Sequence, residues 1–336
     1  MPCPLPGLPA QVRIWEVGAR DGLQNEAVSV PTEVKAELVT RLVDAGLRVV
    51  EVTSFVSPRW VPQLADAAEL FARLEWHDGV RYPVLVPNPA GLERARAAGA
   101  RDVAVFASAT ESFARRNLNR GLDESLSVME EVVTAARSEG LGVRGYISMC
   151  FGDPWEGPVA PSAVVAVARR LLDMGCEELS LGDTVGVATP GQVVALLAAL
   201  GDAGVGVERI GVHFHDTYGQ ALANTVAALA QGVGTVDSSA GGLGGCPYAH
   251  SATGNLASED LLWCLDGLGV RSGVDLERLV ATSAWLAGIL GRPSPSRVVR
   301  ALAPGSTEDP PEPGPPLRGD SLPTTVSPPD GIADHD

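Results

Sequence analysis

The chain has 336 residues, 45% of them hydrophobic and 20% charged, and a formal net charge of −16. That composition supplies a large core and excludes global disorder. The acidic balance speaks against a general binder of nucleic acid or anionic membrane. Part of it is local, because from residue 304 onward seven acids stand against one base, Arg318.

No apolar run approaches the ~20 residues of a membrane helix. The N-terminus, MPCPLPGLPAQVRIW, has no basic start followed by an apolar block, so no secretory signal is expected. Cys3, Cys150, Cys176, Cys246 and Cys264 are scattered and form no CxxC pair. Reduced thiols and a cytoplasmic location are the expectation.

Short β-branched runs alternate with amphipathic stretches. The first half reads as strand 12–17, helix 31–45, strand 49–54, helix 59–74, strand 82–86, helix 91–98, strand 103–107 and helix 123–138. The second half reads as strand 142–148, helix 161–174, strand 178–182, helix 190–203, strand 210–215, helix 220–231 and strand 234–239. Pro31 and Pro161 stand at helix starts, and Gly46, Gly175 and Gly232 stand where helices should stop.

Eight such strands predict an α/β fold, a (β/α)₈ TIM barrel. A doubly wound sheet is the second choice, disfavoured because the first turn, GARDGLQNE, is not a GxGxxG phosphate loop. Helices 258–268 and 276–290 should close the barrel domain, 1–291. Residues 292–336 should form a Pro-rich acidic tail, mostly disordered.

In a barrel, chemistry collects where strands end at their C-termini. Glu16, Arg20 and Asp21 fall at strand 1, Glu51 at strand 2, Asp183 at strand 6, His213, His215 and Asp216 at strand 7, and Cys246 and Asn255 after strand 8. Closure makes strands 6, 7, 8, 1 and 2 neighbours, so these residues share one arc of the rim. His213 and His215, two apart on a strand, point to the same face. They are either a metal-ligand pair or two buried, hydrogen-bonded histidines. Asp21 can add a carboxylate and Asn255 a carbonyl oxygen, a mixed shell that suits Mg²⁺ or Mn²⁺.

Arg20 is either half of a surface ion pair or an electrophile for developing oxyanion charge. Glu51 and Asp183 read as supports for Arg20 or the histidines. Cys246 lies in the glycine-rich AGGLGGCPYAHSATGN, where a neutral thiol can donate a proton; the other cysteines read as apolar filler. The single lysine, Lys35, falls in the helix after strand 1, so imine chemistry in the mouth is excluded.

Six segments, VGARDGLQNE (17–26), EVTSFVSPRWVPQLAD (51–66), RGYISMCFGDPWEGPVAP (144–161), LSLGDTVGVATP (179–190), HFHDTYGQALANT (213–225) and VDSSAGGLGGCPYAHSATGN (236–255), carry a resemblance. They resemble the 3-hydroxy-3-methylglutaryl-CoA lyase family, within the metal-dependent lyase and Claisen-condensing barrels. RDG-x-Q and HxH are shared across the wider superfamily, whereas HDTYGQALANT and GLGGCPYA are specific to the lyases.

The resemblance implies that Asp21, His213, His215 and Asn255 hold the cation, that Arg20 and Gln24 contact substrate, and that Cys246 donates a proton. It implies support from Glu51 and Asp183 and a base at the site, His213 or Asp21. Ala19, Asp153 and Trp155 depart from the family pattern. The implied reaction is retro-Claisen cleavage of (S)-3-hydroxy-3-methylglutaryl-CoA to acetoacetate and acetyl-CoA, as in leucine degradation. A longer branched 3-hydroxyglutaryl-CoA, or condensation of acetyl-CoA with a 2-oxo acid, are the alternatives. An acyl-CoA partner and a homo-oligomer, a dimer, are expected, with no nucleic acid and no membrane. Arg59, Arg115 and Arg116 are candidates for the CoA phosphates.

Overall fold

The structure, a computed structural model, describes residues 2–245 and 254–303. Eight parallel strands form one sheet: β1 Arg13–Glu16, β2 Thr53–Ser54, β3 Val84–Leu85, β4 Asp102–Ser108, β5 Gly142–Ser148, β6 Glu178–Asp183, β7 Ile210–Phe214 and β8 Thr235–Ser238. Neighbours follow chain order, and β8 pairs with β1. The circle closes where Glu16 N donates to Val49 O at 3.0 Å and Glu51 N donates to Glu16 O at 2.8 Å. This is the expected (β/α)₈ barrel.

Helices α1 Thr32–Asp44, α2 Ala67–Arg73, α3 Pro89–Ala97, α4 Glu111–Leu118, α5 Leu122–Ser138, α6 Pro161–Met174, α7 Pro190–Asp202 and α8 Ala221–Ala230 surround the sheet. Their starts follow local chemistry. Pro190 opens α7 behind a Thr189–Gln192 capping box. Gly175, at φ 115°, ends α6 in a conformation only glycine adopts without strain.

The main apolar core lies between sheet and helices, built from residues such as Leu38, Val52, Val105, Ile147, Leu171, Val212 and Leu229. Lys35 is buried there too. Its Nζ donates to Asp66 Oδ1 at 2.8 Å, joining α1 to the start of α2 outside the barrel mouth. Among the described residues, no helix is long and apolar enough to cross a membrane.

Three local expectations change. Strands β2 and β3 keep only two ladder residues each, because Pro83 lacks the N–H a ladder needs and the backbone of 49–52 divides its bonds between β1 and β3. Helix 59–74 breaks into a 3₁₀ turn, Pro62–Leu64, and α2. Helix α4 went unpredicted. It is short, carries few apolar residues, and ends at Asn119 in the left-handed region.

Helices α9 Ser258–Gly267, α10 Leu276–Leu290 and α11 Arg297–Leu302 complete a compact unit that runs to Ala303 rather than stopping at Gly291. The segment 292–303 docks because its polar groups are satisfied on the barrel. Ser296 Oγ donates to the buried Asp260 at 2.6 Å, and Ser294 Oγ donates to Gly241 O at 3.0 Å. The Pro-rich stretch from Pro304 lies outside the described residues.

Candidate active site

The turn after β1 positions the first two site residues. Gly18–Gly22 forms one π-helical turn, in which Asp21 N and Gly22 N both donate to Val17 O, at 2.8 and 3.1 Å. Such turns recur at functional sites. Two glycines permit it by close approach: a Cβ on Gly18 would stand 2.6 Å from Glu16 Oε1, and one on Gly22 would stand 2.9 Å from Leu243 Cβ. The buried Glu16 pins the turn to the one after β8, accepting from Gly18 N and Ala240 N, each at 2.8 Å, and from Ser258 Oγ at 2.6 Å.

Strand β7 ends at Phe214, and the segment 254–257 lies against it. Leu256 N donates to Phe214 O at 3.0 Å, His215 bridges Asn255, and Ser239 N donates to Leu256 O at 2.9 Å. Asn255 is thereby held between the ends of β7 and β8.

These three pieces bring together Asp21, His213, His215 and Asn255. The Nε2 atoms of the two histidines stand 3.3 Å apart, and Asp21 and both rings offer ligand atoms within 4.8 Å of one another. Two nitrogens sharing one cation at ~2.1 Å stand about 3.0–3.4 Å apart at cis angles, so the spacing fits a shared ion. Asn255 Nδ2 donates to Asp21 Oδ2 at 2.8 Å, while its Oδ1 is buried with no hydrogen-bond partner among the described residues. A buried carbonyl oxygen in that position is costly unless something binds it. The donor set therefore fits a divalent cation.

Arg20 is buried, not a surface ion. Its Nη1 donates to Asp21 Oδ1 at 2.6 Å and its Nε to Glu51 Oε1 at 2.5 Å. Burial would raise the Asp21 carboxyl, but Arg20, both histidines and Asn255 together outweigh it and hold it at about 2. Asp21 is thus an anion at neutral pH.

Asp183 takes a different place from Glu51. At the end of β6 it accepts from Val187 N and Ala188 N, at 2.9 and 3.0 Å, and so shapes the β6–α7 loop rather than gripping Arg20 or a histidine. Burial pushes its carboxyl up to about 6 against those two bonds. Gln24 is half-buried just beyond the π turn. Cys246 lies outside the described residues. Arg115 pairs with Glu111 at 2.6 Å, and Arg116 stacks over Trp155 at 4.4 Å.

A second layer went unnoticed in the sequence. Trp15, Asp237 and His213 are register partners on β1, β8 and β7, so their side chains share the barrel interior. Asp237 accepts from Arg144 Nη2 at 2.7 Å and from Ser180 Oγ at 2.8 Å. Trp15 Nε1 donates to Glu51 Oε2 at 2.9 Å, and the Tyr146 hydroxyl donates to the same oxygen. The signal was present: Arg144 and Asp237 are lone charges inside strand runs, the same feature that marked Glu51.

Known proteins resemble this chain over nearly its whole described length. A mitochondrial hydroxymethylglutaryl-CoA lyase of Arabidopsis thaliana is 54% identical over 296 residues, 88% of this chain and 63% of that protein. A cytoplasmic 3-hydroxy-3-methylglutaryl-CoA lyase of Rattus norvegicus is 50% identical over 297 residues, 88% of this chain and 86% of its own. The expected cytoplasmic location is overturned here. Relatives of comparable identity carry mitochondrial as well as cytoplasmic names, so cysteine usage and the N-terminal composition do not fix the compartment.

Among solved structures, the hydroxymethylglutaryl-CoA lyase of Pseudomonas aeruginosa superposes with a TM-score of 0.86 at 49% identity, over 88% of this chain and 98% of that one. The lyase of Acinetobacter baumannii, in complex with coenzyme A and 3-methylmalate, superposes with a TM-score of 0.83 at 33% identity, over 90% and 98%. The model of the HMGL-like family matches residues 11–286, and the chain belongs to that family.

Proposed function

We propose that the protein is a divalent-metal-dependent lyase that cleaves 3-hydroxy-3-methylglutaryl-CoA to acetoacetate and acetyl-CoA. The observation that carries this reading is the convergence of Asp21, His213, His215 and Asn255 beside a buried Arg20. The relatives' names and the coenzyme A complex of the Acinetobacter lyase support an acyl-CoA substrate.

Asp21, His213, His215 and Asn255 would hold the cation, Mg²⁺ or Mn²⁺. Bound there, it would supply Lewis-acid help to the substrate's C3 hydroxyl and a carboxylate oxygen. The hydroxyl proton passes to a basic group of the cluster as the C2–C3 bond breaks. Arg20, fixed by Glu51, meets the charge that develops on the thioester oxygen of the enolate. Cys246 returns a proton to the enolate carbon. Gln24 contacts the substrate, and Asp183 keeps the β6–α7 loop in shape around it.

Product identity tests the reading. Incubation with 3-hydroxy-3-methylglutaryl-CoA should yield acetoacetate and acetyl-CoA in equal amounts. Incubation with acetyl-CoA and 2-oxo acids should release no free CoA. The reverse pattern would make the protein a condensing transferase.

A further inference from the structure

We propose that Asp237, gripped by Arg144 and Ser180, is a positioning residue that fixes the tautomer of His213 and so presents Nε2 to the cation. The inference rests on the metal reading above and extends it to a residue that touches neither ion nor substrate.

Asp237 is buried on β8, directly beside His213 in the parallel register. Its Oδ2 stands 3.3 Å from His213 Nδ1, a close polar contact short of hydrogen-bond geometry, and Nδ1 has no other hydrogen-bond partner among the described residues. Among the described residues, the other hydrogen-bonding partners of this carboxylate are donors. Arg144 Nη1 and Nη2 reach Oδ2 and Oδ1 at 3.0 and 2.7 Å, and Ser180 Oγ reaches Oδ2 at 2.8 Å.

Arg144 cannot swing away. It is buried, lies 4.0 Å over the Trp15 ring, and its Nε is 3.0 Å from Glu178 Oε1. The carboxylate is therefore an acceptor in fixed orientation. A neutral imidazole facing an acceptor at Nδ1 carries its proton there, which leaves the lone pair on Nε2. Nε2 is the atom that faces His215 Nε2 at 3.3 Å in the mouth. The Nε2 lone pair is thereby turned toward the ligand atoms of Asp21 and His215, so Asp237 prepares the site in advance.

An Asp237→Ala variant removes the acceptor, while Arg144 keeps Glu178 as a carboxylate partner. With no carboxylate beside Nδ1, the neutral ring also populates the Nε2–H form, in which Nε2 cannot ligate.

Two measurements on the full chain test this. The first is ¹⁵N-histidine NMR of chelator-treated wild type, at a pH where the ring is neutral, which should show the Nδ1–H form for His213. The second is Mn²⁺ binding followed by electron paramagnetic resonance, where Asp237→Ala should bind about 10–100-fold more weakly with unchanged circular dichroism. An Nε2–H form in wild type, or Mn²⁺ affinity within about twofold of wild type in a folded Asp237→Ala protein, would overturn the proposal. Should that variant fail to fold, the wild-type spectrum decides alone. Absence of Mn²⁺ binding by wild type would sink the metal reading instead, and the tautomer would still be read from the spectrum.

Discussion

Arg20 Nε and Glu51 Oε1 meet at 2.5 Å inside the barrel mouth, and the other Glu51 oxygen is held by Trp15 Nε1 at 2.9 Å. Glu51 is thus a rigid bracket. It aims the guanidinium and keeps it charged, since burial alone would lower the Arg20 pKa and Glu51, then Asp21, reverse that. Glu51→Gln should keep the side chain's size but lose the charge and one of its two acceptor oxygens. Turnover should fall about 10²–10³-fold, the range for losing one preorganised oxyanion donor, with Mn²⁺ affinity nearly unchanged. Steady-state acetoacetate formation and a Mn²⁺ titration check both halves.

The π turn predicts a steric effect. A methyl at Gly22 would press on Leu243 Cβ and on Ser239 Oγ, each at 2.9 Å. Both belong to the segment after β8, so neither yields without moving the neighbouring turn. Gly22→Ala should cost about 1–3 kcal/mol of stability, as overpacking typically does. A lowered Tm together with weaker Mn²⁺ binding is expected. A Tm equal to wild type would show that the two turns are not tightly apposed.

Two buried carboxylates, Glu16 and Glu259, contribute to the pH dependence of stability near neutral pH, in the same direction as Asp183. Burial raises Glu16 to about 7 and Glu259 to about 8, although Ser258 bonds to the first and Ser283 to the second. Both stand above their unfolded values, so between about pH 4.5 and 8 the folded chain binds more protons than the unfolded one. Stability from these groups is complete below the lower limit and is lost as pH rises through 7 to 8. In chelator, Tm should therefore rise as pH falls from 8 to 6, and Glu259→Gln should flatten that slope. Asp21 has the opposite sign, and its contribution is lost only as pH falls from about 4 towards about 2.

Cys246 is assigned a role from its sequence context. General-acid help is typically worth ~10²–10⁴-fold, and Cys246→Ala should lose turnover on that scale while keeping Mn²⁺ affinity. Turnover near wild type would remove the thiol from the reaction.

Much of this was legible in the residues. Strand and helix periods, punctuated by Pro and Gly, foretold the barrel, and barrel closure foretold that β7 and β1 residues would meet. Arg20, Asp21, His213, His215 and Asn255 were marked as polar groups at strand ends. Less legible was whatever depends on register and long-range closure.

Asp237 gains its meaning only because it sits beside His213 across a parallel ladder, and the grip of Arg144 on it spans β5 to β8. Asp183 was grouped with Glu51, yet its oxygens turn to its own loop, a choice made by backbone geometry. The docking of 292–303 was hidden by its Pro-rich composition, because its buried partners Asp260 and Gly241 lie far away in the chain.

The most direct test of the site is cation-dependent turnover of the full chain. After exhaustive chelation, cleavage of 3-hydroxy-3-methylglutaryl-CoA should stop, and adding back Mn²⁺ should restore acetoacetate formation in step with occupancy of a single site. Undiminished cleavage after chelation, or failure to form acetoacetate with Mn²⁺ bound, would contradict the account.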